Sequence, residues 1–334
     1  MKKIIIIENS NLAYSGSDIN GKILRGTETS LILLSEAFNR KFIKVDYANN
    51  IEKETIYNGV RYFNKKNISN EKKKYDLAIA ISDACQFENV NADKKVVFSV
   101  SIQTIEKFIR KKQFFAFLKH RPKVVTLCNY QYDNRSLFTS LFGKIKIPIT
   151  VDPKFFKERI NLKKIPQKKV IYNIRSNRNL DLLLNIWEKK IFLKSNDAKL
   201  YITPNIINYT KNHKKNNIFL RKILSRNKMI SELKSYRALL YPGHKSDIFT
   251  LTAEEAIKLC VPVITLGIGS LSERVQHNKN GFVAKNEHEF AEYTNEILNN
   301  DNFYLNIKKK MFKERNANSW DSIADVWIKK ILNG

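Results

Sequence analysis

The sequence predicts an α/β protein made of two doubly wound, parallel-sheet halves. Short β-branched runs recur along all 334 residues, stretches of helical period separate them, and the alternation is interrupted once, near residue 150. Length agrees, since domains usually hold about 100–200 residues.

In the first half, KKIIIIEN is an apolar run ended by Glu8, and TETSLILLSEAFNR repeats its apolar positions at helical spacing. KFIKVDYAN, YDLAIAIS, KKVVFSV and RPKVVTLCN follow as strands. TIEKFIRKKQFFAFLKH, residues 104–120, sets Ile105, Phe108, Ile109, Phe115 and Leu118 on one face of a basic helix. That pattern serves either a sheet-covering helix or a helix lying on anionic lipid.

IPITVDPKFF carries two prolines and no period and reads as a linker. In the second half KVIYNI, AKLYITP, RALLYPG and VPVITLG are strands, and LDLLLNIWEKKI, RNKMISELKSY, TAEEAIKLC, SLSERVQ and EHEFAEYTNEILNN are helices. NSWDSIADVWIKKIL closes the chain as an amphipathic helix. The expected divisions are 1–150, 151–315 and a terminal helix over 316–334.

Lys and Arg number 60 against 32 acids, a net charge of +28 that attracts nucleic acid, anionic lipid or phosphorylated metabolites without choosing among them. Cys85, Cys128 and Cys260 form no CxxC pair, and His120, His213, His277 and His288 show no ligand spacing, so no metal is expected. Unpaired cysteines fit a reducing, cytoplasmic setting, and no run spans a bilayer. No GxSxG or HExxH motif supports a hydrolase.

Asp247 and Glu255 stand eight positions apart before VPVITLG. Carboxylates at the carboxyl ends of parallel strands can accept hydrogen bonds from vicinal sugar hydroxyls. Thr252 to Glu255 and Ser270 to Glu273 equally match a capping box, in which the glutamate serves only a backbone amide. GIGSLS, 267–272, lacks the third glycine of a dinucleotide loop but could bring backbone close to a phosphate. Gly26 and Thr27 offer the same chemistry or a plain turn. Arg175 and Arg178 follow a strand and precede a helix, where guanidinium groups could grip a diphosphate or simply be solvated. His244 lies in the loop ahead of Asp247.

The order of these segments resembles that of the retaining glycosyltransferases of the GT-B fold, family 4. DIFTLTAEEAIKLCVPVI, GIGSLSERV and NGFVA are similar to the family's E-x7-E pattern, its EAxxxGxPVI stretch, its glycine turn and its ExV step. IPITVDPKFF is similar to the interdomain junction, and SWDSIADVW to the helix that crosses back to the first domain. The resemblance implies two Rossmann-like domains facing a cleft, with an acceptor domain first and a nucleotide-sugar domain second. It implies that Glu255 holds the donor ribose, that Asp247 with Ile248, Phe249 and Thr250 meets the transferred sugar, and that Arg178, with Arg175 and His244, meets the diphosphate. Gly26 and Thr27 match the first-domain phosphate loop. Ser101 and Gln103 stand near the place of the family's acceptor-side histidine, which this chain lacks; Asp247 replaces the commoner glutamate and Cys260 a glycine.

The expected activity is retaining, metal-independent transfer of a sugar from a UDP- or GDP-linked donor to a glycan or lipid-linked acceptor, without a cofactor. The expected setting is surface polysaccharide or lipopolysaccharide synthesis, in the cytoplasm or on the inner face of a membrane. The alternatives are an epimerase or a degenerate scaffold on the same fold, and, from another class, a basic nucleic-acid-binding protein, for which no motif is present.

Overall fold

The computed structural model describes residues 1–134, 137–204, 211–315 and 318–334. Two units are distinguished, Met1–Thr150 with Asn318–Gly334, and Val151–Ala317.

The first unit holds an eight-stranded sheet of β1 (Lys3–Ile7), β2 (Lys44–Asn49), β3 (Thr55–Tyr57), β4 (Val60–Asn64), β5 (Tyr75–Ile81), β6 (Ala92–Phe98), β7 (Lys123–Thr126) and β8 (Lys144–Lys146), in the order β3-β4-β2-β1-β5-β6-β7-β8. Central β1 explains its own sequence. With neighbours on both edges and helices on both faces, a parallel strand reads as continuous apolar residues, and Ile4 to Ile7 are fully buried.

The parallel pattern has one exception. β3 and β4 pair antiparallel around Asn58-Gly59, both at positive φ, the geometry of a tight hairpin turn. The Asn-Gly pair in YNGV thus marks an edge hairpin rather than a crossover. A second departure concerns residues 104–120, which form two short helices, Ile105–Arg110 and Phe114–His120, in place of the single expected one. The chain turns at Lys112, with φ 52°, and the buried Gln113 side chain is spent on Ala84 N and Ser82 O, anchoring the break to the loop after β5.

The terminal helix belongs to this unit. Trp320–Trp327 lies on the helix Gly26–Arg40, with the buried Trp327 ring edge-on to Phe38 at 6.1 Å and against Phe98 at 5.7 Å. Arg40 with Asp321 and Lys41 with Asp325 add exposed ion pairs, each worth well under about 1 kcal/mol. Asn316 and Ala317, at the start of the expected terminal segment, lie outside the described residues.

The second unit holds a six-stranded, wholly parallel sheet: β9 (Lys169–Tyr172), β10 (Lys199–Ile202), β11 (Ile218–Leu220), β12 (Ala238–Leu240), β13 (Val263–Thr265) and β14 (Gly281–Val283), in the order β11-β10-β9-β12-β13-β14. Strand order reverses between β9 and β12, opening a crevice at their carboxyl ends, where open α/β sheets bind ligands. The loops 173–179 and 241–250 leave from those two ends.

Candidate functional site

Those two loops bring the expected residues of the second unit together. Arg178 donates from Nη1 to Nδ1 of His244 at 2.8 Å, and its Nε lies 3.9 Å from Oδ1 of Asp247. Arginine has no acceptor, so Nδ1 of His244 is the accepting nitrogen and the ring proton sits on Nε2. Ser246 N also donates to Nδ1, at 3.1 Å, and fixes the ring. The imidazole therefore holds the guanidinium in place.

Two tyrosines complete the cluster. Tyr241, on the residue after β12, donates to Oδ2 of Asp247, and Tyr172, the last residue of β9, donates to the carbonyls of Arg175 and Arg178 at 2.8 and 2.9 Å. Burial pushes the Asp247 carboxyl up from its ordinary range, against the opposing pull of Tyr241 and Arg178. Burial and the Asp247 charge push the Tyr241 hydroxyl up, keeping it a donor. Sequence reasoning misses both tyrosines, although each stands at a strand end beside the switch point.

Arg175 is exposed and offers the cluster its carbonyl. Ile248 and Phe249 are buried, the Phe249 ring lying 3.6 Å under the Arg274 guanidinium, so their side chains are spent on packing. Thr250, at φ 44°, begins the helix Leu251–Lys258 and shares a 3.3 Å hydroxyl contact with Ser270.

Glu255 is not a capping residue. Its helix begins after Thr250, which places Glu255 in the second turn, and its carboxylate is buried with Oε1 3.4 Å from Arg226 Nη2. Arg226 also reaches Asp152 Oδ2 at 2.9 Å, so an acid, a guanidinium and a second acid form a chain apart from the Arg178 cluster. Burial raises the Glu255 pKa to about 7, with Arg226 opposing and Asp152 reinforcing the shift. Arg226 and Asp152 left no local signal, because their pairing spans 74 residues.

GIGSLS packs its backbone closely against a neighbouring loop. Gly267 and Gly269 lie at φ 69° and 72°, and a Cβ on Gly269 would sit 2.3 Å from the carbonyl oxygen of His244. The glycine lets the 267–270 turn press against the loop that carries His244 and Asp247, where Ser270 N donates to Asp247 O at 3.1 Å. Gly269→Ala is expected to cost about 2–3 kcal/mol in denaturant unfolding, from a left-handed backbone and a backbone clash together.

In the first unit Gly26 is the exposed first residue of its helix, and Thr27 follows it. The N-cap, Arg25, makes no side-chain cap bond. Ser101 O accepts from Ser99 Oγ and Gln131 Nε2, while Gln103 is buried with Nε2 unpartnered. An additional cluster stands at the carboxyl end of β1, where Tyr14 and Tyr47 both donate to Oε2 of the buried Glu8, and burial raises that carboxyl. Glu28, also buried, leaves Oε2 without a partner.

Among the described residues no group of three His, Cys, Asp or Glu side chains converges to hold a metal, and no helix is long and apolar enough to cross a membrane.

Residues 173–314, which include Arg178, Tyr241, His244, Asp247 and Glu255, match the family model described as glycosyl transferases group 1. Comparison with curated proteins gives no match. Among solved structures the chain is similar to sucrose-phosphate synthase from Thermosynechococcus elongatus, with 12% identity, a TM-score of 0.72 and 98% of each chain covered. It is similar to WaaG, a glycosyltransferase involved in lipopolysaccharide biosynthesis, with 12% identity, a TM-score of 0.68, and 99% of this chain and 100% of that one covered. It is also similar to TarM of S. aureus in complex with fondaparinux, alpha-GlcNAc-glycerol and UDP, with 18% identity, a TM-score of 0.59, and 77% of this chain and 55% of that one covered.

Proposed function

Residues 173–314 of the second unit match glycosyl transferases group 1 and the chain has the GT-B fold; on that premise we propose that it transfers a sugar from a UDP- or GDP-linked donor to a glycan or lipid-linked acceptor. The observation that carries this reading is the convergence of Arg178, His244 and Asp247 at the switch point of the second sheet. Arg178 takes up the charge that develops on the departing diphosphate, with His244 fixing its orientation. Asp247 accepts from a hydroxyl of the transferred sugar. Glu255, with Oε1 on Arg226, accepts from a hydroxyl of the donor ribose in this reading.

Transfer proceeds without a metal, since a fixed guanidinium can neutralise the leaving group, and retention is what the family resemblance implies. In the first unit the Gly26–Thr27 helix start offers amides that suit an anion, and Ser101 and Gln103 are assigned to the acceptor by the family resemblance. The setting is surface polysaccharide or lipopolysaccharide synthesis at the cytoplasmic face of a membrane.

The test is thermal denaturation with UDP, GDP, ADP, CMP and their sugar conjugates, run beside Glu255→Ala. One nucleotide class at about 100 times its Kd should add about 2.7 kcal/mol, a rise of roughly 5–10 °C that the variant loses. No shift with any nucleotide sinks the proposal. Release of an isomerised sugar without acceptor would indicate an epimerase instead.

A further inference from the structure

The two short helices of residues 105–120 expose what a packed surface hides. Phe115 is 79% exposed, Ile109 72%, Ile105 58% and Leu118 48%, and Leu141, three residues after Phe138, 77%. Scattered single apolar residues are ordinary, but a concentration of this kind on one segment marks an interaction surface. The segment is held rigidly from below, where Phe108 packs on Phe117 at 4.8 Å and on Phe138 at 5.4 Å, and Phe138 stacks on Phe114 at 4.8 Å.

Charge says what covers it. Residues 104–123 contain seven Lys or Arg against the single acid Glu106. Lys119 shares a helix face with Phe115, four residues before it, and pairs with the exposed Glu88; with Lys94, Lys95, His120, Arg121, Lys123 and the single acid Asp93 it borders a cavity of about 320 Å³. Inside, Lys95 has as its partner His120 Nδ1, at 3.1 Å, which as the acceptor is an uncharged ring. Burial holds both Lys95 and His120 below their ordinary values, against the opposing pull of Glu88, so Lys95 carries its charge beside a neutral ring at a cost that a further anion would relieve.

We propose that the 105–123 face docks on an anionic membrane, with Phe115 and Leu118 entering the interface and the cavity beside Lys95 and His120 taking a lipid phosphate headgroup. A soluble phosphate would need the cavity but not the apolar residues around it; a bilayer interface uses both. Apolar side chains entering the acyl boundary contribute area-dependent energy, and basic residues at an anionic leaflet strengthen the attraction. This deepens the membrane setting proposed above but depends on no nucleotide, so it fails or stands separately.

The test is co-sedimentation of the full chain with vesicles of phosphatidylglycerol and phosphatidylcholine, against phosphatidylcholine alone. Binding is expected only to the anionic vesicles, reduced at least tenfold by Phe115→Ser/Leu118→Ser and by Lys119→Glu/Arg121→Glu/Lys123→Glu. Millimolar inorganic phosphate should not displace the protein. The emission that Phe115→Trp adds to that of Trp187, Trp320 and Trp327, read as the difference from the unchanged chain, should shift to the blue on the same vesicles, a readout that needs no loss of function. Absence of anionic-vesicle binding, full binding by the serine variant, or an indole emission in Phe115→Trp that stays at its aqueous position overturns the proposal. Nucleotide-induced stabilisation measured in the same variants should match that of the unchanged chain and reports the donor site independently.

Discussion

Arg178→Ala is expected to lower kcat/KM for sugar transfer by a factor of about 100–1000, the usual loss when one fixed donor to a developing anion is removed. The chain's own geometry sets that scale. Arg178 is held by His244 at 2.8 Å and kept near Asp247, so its orientation is settled before the charge appears. Arg178→Lys should recover little, because an ammonium is a point charge that cannot donate to His244 and grip two phosphate oxygens in one plane. His244→Ala removes only the positioning contact and should cost about tenfold or less. Melting temperatures should move little in all three, since the Arg178 side chain is partly exposed and outside the core. Steady-state kinetics beside thermal melts check this, and activity within about threefold of normal in Arg178→Ala would remove the residue from the diphosphate.

The strands expected from apolar runs appear as β1, β2, β5, β6, β7, β9, β10, β12 and β13, because central parallel strands write burial on both faces directly into sequence. β8, β11 and β14 are no shorter than β12 and β13, but they stand at sheet edges and are less completely buried, so no continuous apolar run marks them. The β3–β4 hairpin is legible in Asn58-Gly59, a turn signal that the surrounding βα alternation obscures. The helix Asp301–Lys313 follows the preceding helix after a single residue, Asn300, whose capping side chain is the one local mark of the break. At the site, Arg178, His244 and Asp247 can be found because each sits in a loop leaving a recognisable strand. The Arg226 contact of Glu255 cannot, since the local Thr252-to-Glu255 spacing points equally to a cap, and only tertiary folding decides. Cys260 shows the same limit. Its φ of 57°, with Cys260 N on Ile257 O and Val261 N on Ala256 O, closes a left-handed helix end, so the glycine it replaces answers a backbone demand rather than a packing one.

On the proposed role of Glu255, donor binding is expected to depend on pH. In the folded chain its carboxyl titrates at about 7, against an ordinary 4.5, chiefly through burial. Below about pH 4.5 both folded and unfolded chains hold the proton and the residue is neutral to stability. Between there and about 7 the folded chain keeps a proton that the unfolded chain has lost, so stability falls as pH rises, by about 3 kcal/mol in all, and is level above. Ligand binding runs the opposite way. Ribose hydroxyls donate to a carboxylate, so the nucleotide selects the ionised form and expels the proton. Affinity should therefore rise about tenfold between roughly pH 6 and 8, as the ionised fraction grows, and then level off. Asp247 is also raised by burial, and Glu255→Gln separates the two. That variant should bind nucleotide weakly with a flat profile over the same range. It should also be more stable than the unchanged chain at about pH 8, because it buries no charge there and Arg226 keeps Asp152 as its partner. Calorimetric titrations at several pH values check the first expectation and pH-dependent melts the second. A slope that survives in Glu255→Gln would move the titrating group elsewhere and separate Glu255 from the ribose.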